Sequence, residues 1–158
     1  MSMEIICNNA LALSCPDGFH KLDGAERSSL KMLAEGPGEV LSDPGRHILL
    51  SIGWKPVGTL TALLLNTKDV AKNMNMRLRK ALKPYSCQER ETLNRMISGK
   101  RAEGLAYEYD SNGIRMLGQS YVAKHGKAFY FLHFYVRSEL KAESLPVCEE
   151  ILASIKWL

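Results

Sequence analysis

In the later part of the chain, strand-like runs of apolar and polar residues are broken by short turns. The runs 91–97, 101–109, 114–123 and 128–136 read as four strands. Between them stand Ser98-Gly99, Asn112-Gly113 and His125-Gly126. Two-residue loops of this kind favour primed turns, whose twist matches that of the flanking strands, so an antiparallel meander is expected. After it, Cys148, Ile151, Leu152 and Ile155 recur at helical spacing. Ser144 is the expected cap of that helix, Pro146 falls in its first turn, and Trp157 is placed to seal the core edge.

Upstream the pattern is more broken. Residues 10–15 read as a strand, stopped by Pro16-Asp17-Gly18. A short helix capped by Asp23 carries Leu30, Leu33 and Ala34 on its apolar side and ends at Gly36-Pro37-Gly38. Following the turn Asp43-Pro44-Gly45, residues 46–54 put Ile48, Leu50, Ile52 and Trp54 on one face and His47, Leu49, Ser51 and Gly53 on the other, which predicts a central strand. The leucine-rich stretch 57–66 suits either a helical turn or a packed loop. From the cap Thr67 a helix is predicted to about Leu82, stopped by Pro84, with Val70, Met74, Leu78 and Ala81 as its buried stripe.

A chain of 158 residues suits one domain, 1–158, and 46% hydrophobic with 24% charged residues is globular composition. The net charge of +4 is too small to imply a polyanionic partner, and no apolar run approaches the roughly 20 residues that cross a bilayer. Met1-Ser2-Met3-Glu4 lacks a secretory signal pattern, so a cytoplasmic protein is expected. The cysteines Cys7, Cys15, Cys87 and Cys148 are scattered and read as buried thiols, so no metal and no cofactor are expected.

Candidate chemistry comes from register. With Asn112-Gly113 as a two-residue loop, Tyr107 faces Gly118 and Leu105 faces Ser120; with His125-Gly126 as another, Gly118 faces His133 and Ser120 faces Phe131. Small residues then floor a trough walled by aromatics, and Tyr107, Gly118, Ser120, His133 and Tyr135 become candidate residues for a small hydrophobic or aromatic ligand. A helix packed across the trough would fill it instead. Arg77, Arg79, Lys80 and Lys83 form a basic surface on the predicted helix, suited to phosphate or an acidic protein surface or simply to solvent, and nucleic acid is not an expected partner. His47 and His133 fall on strand-like runs that could meet across the sheet. The sequence carries no nucleophile elbow, phosphate loop, dinucleotide fingerprint or zinc-protease helix, so no enzyme is expected.

Three features together resemble the PsbP-like group: Pro16 to Phe19 as Pro-x-Gly-Phe, the strand, turn and aromatic strand from Ser120 to Tyr130, and the closing Ser154-Ile155-Lys156-Trp157. The resemblance implies an α+β fold, an α/β/α sandwich whose central antiparallel sheet contains the four-strand meander and is closed by the C-terminal helix. The group, which includes small bacterial proteins, consists of accessory or binding proteins rather than enzymes, which implies a noncatalytic accessory or scaffold domain that binds a protein partner. The motifs are structural, so no functional residue is carried over, and with neither targeting sequence nor membrane tether in view a photosynthetic role is not expected.

Overall fold

The computed structural model describes residues 2–28 and 37–158. Strands β1 (Met3–Cys7), β2 (Leu11–Cys15) and β10 (Lys156–Trp157) form a three-stranded sheet in the order β1-β2-β10. Strands β3 (His20–Lys21), β4 (Gly38–Asp43), β5 (Ile48–Pro56), β6 (Gln88–Ile97), β7 (Lys100–Ser111), β8 (Ile114–His125) and β9 (Ala128–Arg137) form a seven-stranded sheet in the order β3-β4-β5-β9-β8-β7-β6. Every pairing is antiparallel. The helices are α1 (Gly24–Ser28), α2 (Thr59–Leu64), α3 (Thr67–Leu82) and α4 (Lys141–Ala153).

Alternation along the strands sorts side chains onto two faces of the large sheet. On the front face Leu50, Ile52, Tyr121, Leu132 and Phe134 pack against the small sheet and against Ile151 and Leu152 of α4. On the back face α3 lies over β7 and β8, where Leu82 joins Leu105, Tyr107, Tyr109 and Tyr135, and Ala71 with Met74 joins Val122 and Phe129. The result is the expected α/β/α sandwich, with one outer layer shared between α4 and the small sheet.

Local chemistry explains most boundaries. Asp23 caps α1 as expected, its Oδ1 accepting from the Glu26 N–H at 2.7 Å while Glu26 Oε1 accepts from the Asp23 N–H, a reciprocal capping box. The expected Leu30, Leu33 and Ala34 lie outside the described residues. Ser98-Gly99 and Asn112-Gly113 have positive φ at both positions, the signature of type I′ turns (Asn112 50°, Gly113 79°). Stretch 57–66, which fitted helix or loop, contains the helix α2.

Several expectations are corrected. The cap of α3 is Asn66, whose side chain accepts from the Asp69 N–H at 2.9 Å, and Thr67 is the first helical residue. Its buried residues are Ala71, Met74, Asn75 and Leu82, with the expected Val70 and Leu78 partly buried against the core, while Ala81 is exposed, because the Leu82 contact with the tyrosine cluster fixes the helix's rotation on the sheet. A 3-10 turn over Ser138–Leu140 starts α4 early, so Ser144 is a buried interior residue and Pro146 sits inside the helix. Helix α4 stops at Ala153, and Ile155 falls beyond it, because the chain turns to pair Lys156 with Ala12. Trp157 is therefore a strand residue, packed half-buried against the core with its Nε1–H donating to the Ile97 carbonyl at 2.9 Å. His47 lies in the turn before β5 with φ 56°, and it is Ser51 that faces His133.

Candidate functional site

Strands β7 and β8 pair as expected, Tyr107 facing Gly118 and Leu105 facing Ser120. Strands β8 and β9 pair two residues further on, so Gly118 faces Tyr135 and Ser120 faces His133. The cause is the turn. Of its residues only Gly126 has positive φ, 60°, which places Gly126-Lys127 at the tip with glycine first, as a type II′ turn requires, and leaves His125 paired with Ala128. Because the slip is even, every side chain keeps its face, and the candidate residues still converge.

The convergence is tight. Ser120 Oγ lies 2.8 Å from the Tyr107 hydroxyl and 2.6 Å from His133 Nδ1, and Tyr107 and Ser120 have no solvent exposure. The ring of Tyr107 occupies the space over Gly118, with its hydroxyl oxygen 2.7 Å from where a Cβ would stand. Leu78 and Leu82 of α3 close the cluster from above. Burial raises the Tyr107 hydroxyl to about 12 and lowers the half-buried His133 imidazole to about 4. A Ser–His contact of this length suits nucleophile activation, yet here the serine oxygen is enclosed by its two partners and reaches no solvent.

The basic residues Arg77, Arg79, Lys80 and Lys83 are all exposed on α3 and its C-terminal extension, and Arg79 pairs with Glu89 at 2.8 Å. Among the described residues no cluster of His, Cys, Asp and Glu could hold a metal ion. Cys7, Cys15 and Cys148 are buried, with their thiols raised to about 11, 12 and 12 chiefly by burial, and Cys87 is half-buried.

Sequence reasoning missed a second site on the front face. A cleft of about 510 Å³ opens between β6–β8 and the start of α4, lined among others by Arg90, Glu108, Leu117, Gln119, Lys141 and Leu145. The pairing of β6 with β7 shifts register between Glu89 and Glu91, and Arg90 is the extra residue of this bulge. Its guanidinium donates to Glu108 Oε2 at 2.7 Å, and Arg115 approaches the same oxygen at 3.5 Å. Arg90 foremost, then Lys141 and Arg115, hold the Glu108 carboxyl below its ordinary range. Gln119 Oε1 is buried and has no hydrogen-bond partner among the described residues.

No family model matches the chain, and no curated protein matches it in sequence. Solved structures do match in fold. A cyanobacterial PsbP (CyanoP) from Synechocystis sp. PCC 6803 superposes with a TM-score of 0.69 at 14% identity, covering 99% of this chain and 92% of that one. LpqN of Mycobacterium tuberculosis, a protein involved in cell envelope biogenesis, gives 0.63 at 14% identity over 99% of this chain and 90% of that one. A Pseudomonas aeruginosa protein of unknown function gives 0.50 at 13% identity, covering 97% and 94%. The chain thus has the PsbP-like fold, and at these identities the likeness concerns the fold alone.

Proposed function

We propose that the chain is a noncatalytic accessory or scaffold domain of the cytoplasm that binds a protein partner, and that the partner docks in the cleft under α4. The observation that carries this reading is the cleft itself, which three strands and α4 line with apolar and charged side chains. An apolar floor of Ala106, Leu117 and Leu145 within a rim carrying both signs of charge has the composition of a protein interface, apolar at its centre and polar at its edge. Fold neighbours that include a PsbP and an envelope-biogenesis protein fit an accessory role. The test is affinity capture from native cytosol, followed by titration of the recovered partner against Leu145→Glu and Gln119→Ala. A stoichiometric partner that loses affinity for both variants supports the reading, and a wild type that returns no stoichiometric partner at low or moderate salt ends it. A small hydrophobic or aromatic ligand in the trough of Tyr107, Gly118, Ser120, His133 and Tyr135 is the weaker alternative, because entry requires the Tyr107 ring to leave Gly118.

A further inference from the structure

The least ordinary surface lies on the opposite side of the sheet from the cleft. In α2, Leu60, Leu63 and Leu64 are 70%, 79% and 71% exposed, Leu65 follows at 38%, and Ala62 alone turns inward. Single exposed leucines need no explanation, but three on one six-residue helix form an apolar protrusion that water does not favour. The protrusion is held in place. Lys124 Nζ donates to the carbonyls of Ala62 and Leu65, which pins the C-terminal end of α2 to β8, and the Val57 N–H donates to the Lys127 carbonyl at 2.8 Å.

The segment that carries this protrusion is strongly basic. Residues 55–83 contain seven Lys or Arg against the single Asp69, a net +6 where the whole chain carries +4. Lys55 precedes α2, Lys68 and Lys72 open α3 two residues beyond it, and Lys127 stands in the neighbouring turn, all exposed. None of these four makes an ion pair among the described residues, whereas Arg79, further along α3, is matched by Glu89. Among the described residues, these four lysines beside α2 are thus without an ion-pair partner.

We propose that this face of α2 and α3 docks on the surface of an anionic lipid bilayer, with Leu60, Leu63 and Leu64 entering the headgroup layer and Lys55, Lys68, Lys72 and Lys127 meeting lipid phosphates. Shape decides between a bilayer and a protein. Side chains exposed by 70% or more stand out from the surface rather than line a groove, so they cradle no partner side chain. A headgroup layer deforms around such a knob and offers phosphates on every side of it, as amphipathic surface binding requires. The attachment is peripheral, since no helix of the described residues is long and apolar enough to cross a membrane.

The experiment is sedimentation of the full chain with vesicles of phosphatidylcholine alone and of phosphatidylcholine and phosphatidylglycerol in equal parts, at rising salt. Binding is expected to the second and not to the first, and to weaken as salt rises. Each of Lys68→Gln and Lys72→Gln should weaken it by about fivefold, which is ~1 kcal/mol per cation. Leu60→Ser with Leu63→Ser and Leu64→Ser should weaken it by about tenfold or more, because the apolar area that enters the headgroup layer is lost. All these positions are exposed, and an unchanged melting curve for each variant keeps the comparison free of folding effects. Wild type that ignores anionic vesicles at low salt overturns the proposal, as does a leucine variant that binds like wild type. Retention on polyglutamate without vesicle binding would also overturn it, and would make the face a site for an acidic protein.

Discussion

Tyr107 and Gly118 occupy one another's space: a methyl group placed on the glycine would collide with the ring carbons of the tyrosine that faces it across β7 and β8. Since Tyr107 is fully buried beneath α3, the ring has nowhere to go. Gly118→Ala is therefore expected to destabilise the protein by about 1–3 kcal/mol, the usual cost of overpacking, read from the midpoint of urea unfolding. Tyr107→Leu in the same background should cost less than the two single changes summed, because the smaller side chain frees the room that the added methyl group needs. Strict additivity would count against the packing described.

Ser120 carries two hydrogen bonds at once, so removing one partner should be felt at the other. Tyr107→Phe leaves the ring's packing in place and deletes only the hydroxyl that meets Ser120 Oγ. A loss of about 1 kcal/mol is expected from equilibrium unfolding, the net value of one buried hydrogen bond.

Acid should act through His133. Its imidazole is lowered by burial to about 4 from an ordinary value of 6.5, so between those pH values the unfolded chain binds a proton that the folded protein refuses. Stability is then complete above pH 6.5 and falls as pH drops towards 4. The loss attributable to this group should reach about 1–3 kcal/mol over that window. In His133→Asn the difference in unfolding free energy between pH 7 and pH 5 should shrink, and an identical pH dependence in both proteins would refute the assignment.

The partners in the Arg90–Glu108 pair differ in exposure, with side chains 50% and 9% exposed. Glu108→Ala returns Arg90 to water, whereas Arg90→Ala leaves a nearly buried carboxylate without its hydrogen-bonded cation, with Lys141 and, at 3.5 Å, Arg115 as the cations that remain near it. Arg90→Ala is expected to be the more destabilising of the two, by about 1 kcal/mol. It should also raise the pH at which Glu108 protonates, since Arg90 is the first cause of the lowered value. Stability from this carboxylate exists above its unfolded pKa and disappears as pH falls, so the variant should show less of that acid-dependent loss.

Thiol chemistry supplies a simple reading of the core. Cys7, Cys15 and Cys148 combine burial with thiols raised to about 11, 12 and 12, and Cys87 alone is half-buried. Native protein at mildly alkaline pH is expected to be alkylated first at Cys87, with the other three reacting only in denaturant, as mass spectrometry would resolve.

The meander was legible because its turns announce themselves: Asn112-Gly113 can supply two positive φ values cheaply, between runs rich in aromatic and aliphatic residues. The β8–β9 turn misled by one position because His125 looks like a turn residue while only Gly126 requires one. Strands β1, β3, β4 and β10 escaped notice because His20–Lys21, Gly38–Asp43 and Lys156–Trp157 are short and mixed in polarity, and only pairing with neighbouring strands makes them strands. Stretch 57–66 gave no clear period because the leucines of α2 are not buried, so the rule that links periodicity to packing had nothing to act on. The cleft was hidden for a different reason. Its residues come from three strands and a helix, and the bulge that aims Arg90 at Glu108 leaves no mark in sequence.

The strand order β3-β4-β5-β9-β8-β7-β6 divides the large sheet into two locally connected halves joined along one seam, where Leu49 to Pro56 pair with Tyr135 to Ala128. Each half can form from neighbours in sequence, whereas the seam must bring together segments that α2, α3 and three strands separate. Loop-closure entropy therefore concentrates the search for the native state at a single zipper. Truncations such as Ile52→Val and Leu132→Ala should slow refolding more than equally destabilising changes in the hairpin of β7 and β8 alter it, and stopped-flow kinetics would separate the two. The order of events in folding is thus written into the place where two meanders meet.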